Sequence, residues 1–205
     1  MKLYNSVGPN PHVVRMFAAE KGVSLEMVQV DLMAGENRRP PYNETVNVAG
    51  QMPALELEDG AKIAEITVIC EFLEEKHPQP PLIGRTPEER AETRMWTRRI
   101  DLGVCEPMAN GFRAAEGRRL FENRMKLVSP EASADLKAIA KDRLLWLDKQ
   151  MGSNQFVCGD RFSLADILLY CFLTFGSTVG QPMPEEATWL KGWYERVKAR
   201  PSASA

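Results

Sequence analysis

In Gly50-Gln51-Met52-Pro53-Ala54-Leu55 a proline stands directly before an alternating, strand-like run. Proline lacks a ladder donor, and a tight strand entry is one place where a cis X-Pro bond is tolerated. With a cis bond, the N–H and C=O of Met52 turn away from the sheet. They could then pair with an extended, peptide-like ligand as an added strand; a plain turn is the alternative. Ala64-Glu65-Ile66-Thr67 opens a helix. Its first amides have no partner within the helix and lie at the positive end of its dipole, which suits a carboxylate. Glu65 beside them suits an ammonium, and a γ-glutamyl group carries both charges on one carbon. Glu65 also reads as an acidic residue favoured at a helix start with no ligand at all.

Other chemistries find little support. Cys70, Cys105, Cys158 and Cys171 are scattered without CxxC spacing, so neighbours build neither a dithiol nor a zinc knuckle. They read as small buried hydrophobes in a reducing compartment. With only His12 and His77, no metal site is expected. A balance of 26 Lys+Arg against 28 Asp+Glu gives no electrostatic reason for a nucleic-acid or anionic-membrane partner. No apolar run approaches the ~20 residues of a membrane span, and Met1-Lys2-Leu3-Tyr4-Asn5 is too polar for a signal-peptide core. The expectation is a cytoplasmic protein.

The elements around these segments follow from periodicity. Lys2 to Tyr4 reads as a strand, and Asn10-Pro11 as a helix start with Asn10 the N-cap. Val14, Phe17 and Ala18 continue that helix, and Gly22 stops it. Val28, Val30 and Leu32 alternate with polar residues as a second strand, giving a parallel βαβ unit. Leu55 and Leu57, the turn Asp59-Gly60 and Lys62-Ile63 form a hairpin. A helix with Ile66, Ile69, Cys70 and Leu73 on one stripe follows, and His77-Pro78-Gln79-Pro80-Pro81 ends it as a linker.

Beyond the linker the period is helical throughout. Thr86-Pro87-Glu88-Glu89 opens a long helix carrying Trp96, Ile100 and Val104, which Pro107 should kink. Leu136, Ile139, Ala140, Leu144 and Leu147 line the next helix. A further helix, with Leu164, Ile167, Leu168, Cys171, Phe172 and Phe175, is apolar on most sides and should be central. The last clear helix covers 189–198, and the end, Ser202 to Ala205, should fray. The expected division is an α/β module over 1–77, a linker over 78–86 and an all-helical domain over 87–205. Ser163 and Asp166 have the spacing of a capping box, with Phe162 and Ile167 at the staple positions.

Together these segments resemble the cytosolic glutathione S-transferase family along the whole chain. The resemblance is closest to a fungal and bacterial subfamily lacking the usual catalytic tyrosine or cysteine. Its sequence style appears here as Leu3-Tyr4-Asn5-Ser6, Pro9-Asn10-Pro11, Val14-Arg15, Ala19-Glu20-Lys21-Gly22, Gly50-Gln51-Met52-Pro53 and Val157-Cys158-Gly159-Asp160-Arg161-Phe162-Ser163-Leu164-Ala165-Asp166-Ile167. The resemblance implies a thioredoxin-like first domain (βαβ-α-ββα), an all-α second domain, a homodimer, and glutathione as co-substrate. Met52, ahead of Pro53, would hold the cysteinyl backbone. Glu65 with the amides of Ile66 and Thr67 would hold the γ-glutamyl end, and Arg38, Arg39 or Gln51 the glycyl carboxylate.

The implied reaction is conjugation of the glutathione thiolate to a small hydrophobic electrophile. A free thiol of pKa ~8.5 is only a few per cent ionised at neutral pH, and lowering it by two units takes roughly 2.7 kcal/mol of preferential thiolate stabilisation. The positive start of the first helix, with donors from Ser6 or Asn10, is placed to supply it. A hydrophobic pocket between the domains would use Val7, Gly8, Cys105, Met108, Ala109 and Phe112.

Three departures from the family's style bear on this. Ile66 stands where most members have serine, and the segment from Tyr4 to Arg15 is one residue short. Ala109 and Arg113 occupy the places of the serine and histidine that the fungal branch is thought to use to hold an activating water. Arg113 could instead stabilise thiolate or a carboxylate-bearing substrate. Ether cleavage or dehalogenation with glutathione, or a non-catalytic glutathione-binding or structural role, are the alternatives.

Overall fold

In the computed structural model, which describes residues 1–205, the first strand is β1 (Lys2–Asn5) and the second β2 (Glu26–Gln29). They pair in parallel, Lys2 opposite Glu26 through Asn5 opposite Gln29, across the crossover helix α1 (Pro9–Glu20). β3 (Ala54–Glu56) lies antiparallel on the other side of β1, and β4 (Lys62–Ala64) follows it, in the order β2-β1-β3-β4. The β3–β4 turn closes as Asp59-Gly60 predicts, with Gly60 at φ 86° and the Asp59 carboxylate accepting the Ala61 amide. α2 (Tyr42–Thr45) interrupts the polar stretch before β3, and α3 (Ile66–Lys76) follows β4, burying Ile69, Cys70 and Leu73. The chain divides into two units, Met1–Leu82 with Pro201–Ala205, and Ile83–Arg200.

Two boundaries differ from expectation. α1 begins at Pro9, with Gly8 as its N-cap at φ 112° and no side-chain cap, so Asn10 lies inside the first turn. Pro9 already supplies a helical φ, and Gly8 takes the left-handed turn into it. β2 stops at Gln29, short of Leu32, because Asp31 starts a turn: it accepts from the Glu36 and Ala34 amides, and Gly35 donates to Leu32. The end of α1 is a Schellman motif, with Gly22 at φ 65° and the Val23 amide reaching back to the Ala18 carbonyl.

In the second unit α4 (Pro87–Ile100) is capped by Thr86, whose hydroxyl accepts the Glu89 amide. It runs through a π-helical turn, Asp101–Cys105, into α5 (Glu106–Ala114). Pro107 has no N–H to give, and the chain answers with a widened turn rather than a break. α6 (Arg118–Phe121) is short, and α7 (Pro130–Met151) is capped by Ser129. Ile139, expected in the core, is 47% exposed. The buried line of α7 is Ser133, Ala140, Leu144, Leu147 and Met151, and Ile139 falls one residue, some 100°, off it. α8 (Leu164–Thr178) is buried without a break from Leu164 to Leu173, and α9 (Thr188–Lys198) completes the unit. No helix is long and apolar enough to cross a membrane.

The expected fraying of the end is not what the structure has. Pro201–Ser204 forms a 3-10 turn with Ser202 and Ala203 buried in the first unit. His12 Nε2 donates to the Ala203 carbonyl at 3.0 Å, and the Ser202 hydroxyl donates to the Glu20 carboxylate. Its partners stand some 190 residues earlier, so no local pattern announces the contact.

Candidate functional site

The loop entering β3 is held from behind by side chains of the preceding polar stretch. The Tyr42 hydroxyl and Asn47 Nδ2 both donate to the Gln51 carbonyl, at 2.7 and 3.0 Å. Asn37 Nδ2 donates to the Gly50 carbonyl at 2.6 Å, and Arg38 Nη1 to the Ala49 carbonyl at 3.1 Å. Burial pushes the Tyr42 phenol up, so it stays a donor at any ordinary pH. Gly50 stands at φ 59° with its absent Cβ only 2.9 Å from the Asn37 carbonyl oxygen, which excludes a side chain there. The bond that follows, Met52–Pro53, is cis. Pro53 and Ala54 are buried, while Met52 is half-buried and its amide and carbonyl make none of the chain's loop, turn or cap hydrogen bonds.

Ala54 is paired with Ala64, so Pro53 and Glu65 are the next residues outward at the same end of the hairpin. Glu65 has φ 69°, the one non-glycine residue with positive φ. Such a conformation costs about 1–3 kcal/mol and points to a functional constraint. It is the N-cap of α3, but no side chain caps that helix. Its carbonyl accepts the Ile69 amide at 2.9 Å, so the preceding helix amides, Ile66 and Thr67 first among them, lack an intrahelical acceptor. The Glu65 side chain is exposed; Ile66 and Thr67 are half-buried. The result is one strip of open backbone with an acceptor, a donor, a helix N-terminus and a carboxylate along it.

At the start of α1, Pro9 and Pro11 have no N–H. Asn10 therefore contributes the single free amide of the first three helical residues, and its half-buried side chain adds a second donor. Ser6, the other expected donor, is 8% exposed and gives its hydroxyl proton to the Val30 carbonyl at 2.7 Å. That hydrogen bond ties the β1–α1 loop to the end of β2 and removes Ser6 from the set of free donors. Val7 and Gly8 beside it are exposed. Of the candidates for a second carboxylate, Arg39 and Gln51 are exposed, Arg39 donating to the Ala34 carbonyl at 3.0 Å, and Arg38 is half-buried in the loop contact above.

The candidates on α5 and before it divide within their own unit. Cys105 and Met108 are each 1% exposed, in the helical core rather than on a surface. Burial, with the carboxylates of Asp101 and Glu106 adding to it, pushes the Cys105 thiol well up and makes it inert. The expectation of a pocket lined by Cys105 is corrected on that ground. Met108 does border a cleft of about 500 Å³ with Leu144, Lys141 and Gln181. Phe112 stands edge-on to Phe121 and Phe175, with centroids 6.1 and 5.2 Å away. Ala109 is half-buried, and Arg113 donates to Asn110 Oδ1 at 3.1 Å while lying over the Phe121 ring. At the start of α8, Ser163 and Asp166 cap each other's amides.

Asn37, Tyr42 and Asn47, which shape the loop before Pro53, were not singled out by sequence. Their side chains bond to carbonyls between four and thirteen residues ahead, a polar pattern indistinguishable in sequence from a solvated loop.

Residues 1–75 match the family model of the glutathione S-transferase N-terminal domain, and residues 125–201 that of the C-terminal domain. Glutathione S-transferase 2 of Saccharomyces cerevisiae is 32% identical over 98% of this chain and 87% of its own length. The protein LigF of Sphingobium sp. is 28% identical over 98% of this chain and 91% of its own; its crystal structure, that of a beta-etherase, superposes with a TM-score of 0.84 at 25% identity, covering 99% and 96% of the two chains. A glutathione S-transferase domain-containing protein from Marinobacter aquaeolei superposes with a TM-score of 0.92 at 34% identity, over 99% of this chain and 100% of that one.

Proposed function

Because the chain belongs to the glutathione S-transferase family, we propose that it binds glutathione along the β3 edge and conjugates its thiolate to a small hydrophobic electrophile. The observation that carries this reading is the open Met52 backbone at the same hairpin end as the uncapped start of α3. Met52 takes the cysteinyl N–H and C=O as an added strand. The amides of Ile66 and Thr67 take the γ-glutamyl carboxylate, and Glu65 its ammonium. Ile66 lacks the hydroxyl that a serine would add, but the backbone donors at that position do not depend on the side chain. Arg38, Arg39 or Gln51 takes the glycyl carboxylate, and the dimer usual for the family is expected.

The thiol is ionised by the start of α1. Asn10, with one free amide and one side-chain amide, stabilises the thiolate there and adds to the helix dipole; no proton acceptor other than solvent is required at neutral pH. Asn10→Ala is expected to raise the pKa of the bound thiol by about one unit, since one such hydrogen bond is worth about 1.5 kcal/mol. Ser6→Ala is expected to leave it nearly unchanged, its proton being engaged with Val30. Ultraviolet thiolate absorbance against pH reads both. On the electrophile side, exposed Val7 and Gly8, next to the start of α1, are the residues of the first unit assigned.

Calorimetry tests the binding reading. Glu65→Ala is expected to weaken glutathione by ~10- to 100-fold, the worth of a charge-assisted hydrogen bond at 1.5–3 kcal/mol. Unchanged affinity would remove Glu65 from the site. The similarity to LigF favours a second reading, glutathione-dependent cleavage of aryl ethers. Parallel assays with an aryl halide and a β-aryl ether separate it from conjugation, and tight binding with neither turnover would mark a non-catalytic relative.

A further inference from the structure

We propose that the last five residues clamp α1 and the β1–α1 loop, and so set the acidity of the thiol at the start of that helix. The part concerning the thiol rests on the glutathione reading above; the clamp itself rests on hydrogen bonds within the first unit.

One guanidinium joins the tail to the loop. Arg15 Nε donates to the Ala205 oxygen at 3.0 Å, and its Nη1 donates to Asn5 Oδ1 at 2.6 Å and to the Ser6 carbonyl at 3.4 Å. The planar fork of arginine fixes these two directions relative to each other, so the tail and the loop are positioned as one body. His12 grips Ala203 one turn earlier on the helix, and Glu20 grips Ser202 further along it. The other side of α1 presents Val13, Val14, Met16 and Phe17, all fully buried. The helix is therefore packed against the core on one side and held by the tail on the other.

The loop is tied on its far side as well. Asn5 Nδ2 donates to Gln29 Oε1 at 3.2 Å and Ser6 Oγ to the Val30 carbonyl at 2.7 Å, both at the end of β2. Asn10 lies in the stretch between these ties and Arg15. Donors that stabilise a developing charge lose effect with displacements of less than an ångström. Arg15 is accordingly a positioning residue, acting through Asn5 and Ser6 on the donors at Asn10.

The test compares three proteins with the parent: the chain ending at Arg200, the full chain with Arg15→Lys, and the full chain with Ser202→Ala. Lysine keeps the charge but cannot bridge both partners in fixed directions. Two readouts are taken. Amide hydrogen exchange of Val30, which donates to the Asn5 carbonyl, and of Val13 and Val14 within α1 is measured without ligand, and the pKa of the thiol is read with glutathione at saturation.

The expected result is roughly tenfold faster exchange at those amides, with β3 and β4 unchanged. The thiol pKa rises by about half a unit, roughly a threefold fall in its ionisation constant, while the glutathione Kd moves less than about twofold. Should the shortened chain not fold, the two point variants decide alone. Unchanged exchange at those amides in Arg15→Lys overturns the clamp; altered exchange with an unmoved thiol pKa overturns its link to acidity. A parent chain that takes up no glutathione refutes the functional reading only, because the exchange comparison needs no ligand.

Discussion

Asp166→Ala is expected to lower the unfolding free energy by about 4 kcal/mol or more, the sum of several orphaned buried donors at about 1–3 kcal/mol each. The fully buried carboxylate accepts the Val157 amide at 2.9 Å, the Trp193 indole at 2.8 Å, and both the Ser163 amide and hydroxyl at 2.9 and 3.0 Å. It joins the turn before α8, the start of α8 and a fully buried tryptophan on α9. Alanine would leave the Val157 and Ser163 amides and the Trp193 indole without an acceptor, and a void beside Trp193; the Ser163 hydroxyl would keep only Cys158 Sγ, at 3.6 Å. Ser163→Ala removes only one of those donors together with the cap, and is expected to cost ~1 kcal/mol. Urea unfolding followed by circular dichroism distinguishes the two. Equal losses would mean that Asp166 does no more than cap.

The pH dependence of that site has a definite sign. Burial pushes the Asp166 carboxyl up to about 6 against the pull of its four donors, above the ~3.9 of an unfolded aspartate. A carboxyl raised in the folded state favours folding below the unfolded value and loses that contribution as pH rises through the folded one. The stability gap between the parent and Asp166→Asn is therefore expected to be flat above about pH 7 and to widen as pH falls from 6 to 4.

Lys21→Met is the second large effect, a loss of about 3–5 kcal/mol, which is typical of stranding one partner of a buried ion pair. Lys21 and Glu74 form that pair with side chains 0% and 3% exposed. The ammonium also donates to the His77 and Pro80 carbonyls, and Glu74 accepts the Leu82 amide at 3.1 Å. Two charge-assisted bonds thus fasten the proline-rich segment after α3 to the end of α1, and a third holds its far end, Leu82, to Glu74 on α3. Adding Glu74→Leu to Lys21→Met is expected to recover a large part of the loss, because the uncompensated charge is then gone. Chemical denaturation of the single and double variants measures the coupling; strictly additive losses would contradict it.

The sequence was most informative where one residue type has one physical reason to be present. Asp59-Gly60 dictates a hairpin turn, Thr86-Pro87 and Ser129-Pro130 dictate helix starts, and Ser163 with Asp166 has no equally good alternative to the box it forms. At the start of α1 the expected cap, Asn10, gives way to Gly8, whose positive φ lets Pro9 open the helix two residues before Pro11. Met52, Glu65 and Thr67 were legible as open groups at a strand entry and a helix start. The engagement of Ser6 by Val30 was not, since serine after a strand reads equally well as a free hydroxyl.

What escaped entirely is long-range. Lys21 followed by Gly22 reads as an ordinary solvated helix end, and only the fold brings Glu74 to it. Ser202 to Ala205 has the composition of a loose end, and its order comes from His12, Arg15 and Glu20 on α1. Cys105 enters the pocket only through the family resemblance; its residue type alone reads as a small buried hydrophobe, and the π-helical turn places it in the core accordingly.

The most direct test is a crystal of this chain soaked with millimolar glutathione. The cysteinyl backbone is expected antiparallel to Met52, the γ-glutamyl carboxylate on the Ile66 and Thr67 amides, its ammonium on Glu65, and the sulfur toward Asn10. Glutathione seated elsewhere, or density that leaves Met52 and Glu65 untouched at that concentration, would contradict the account.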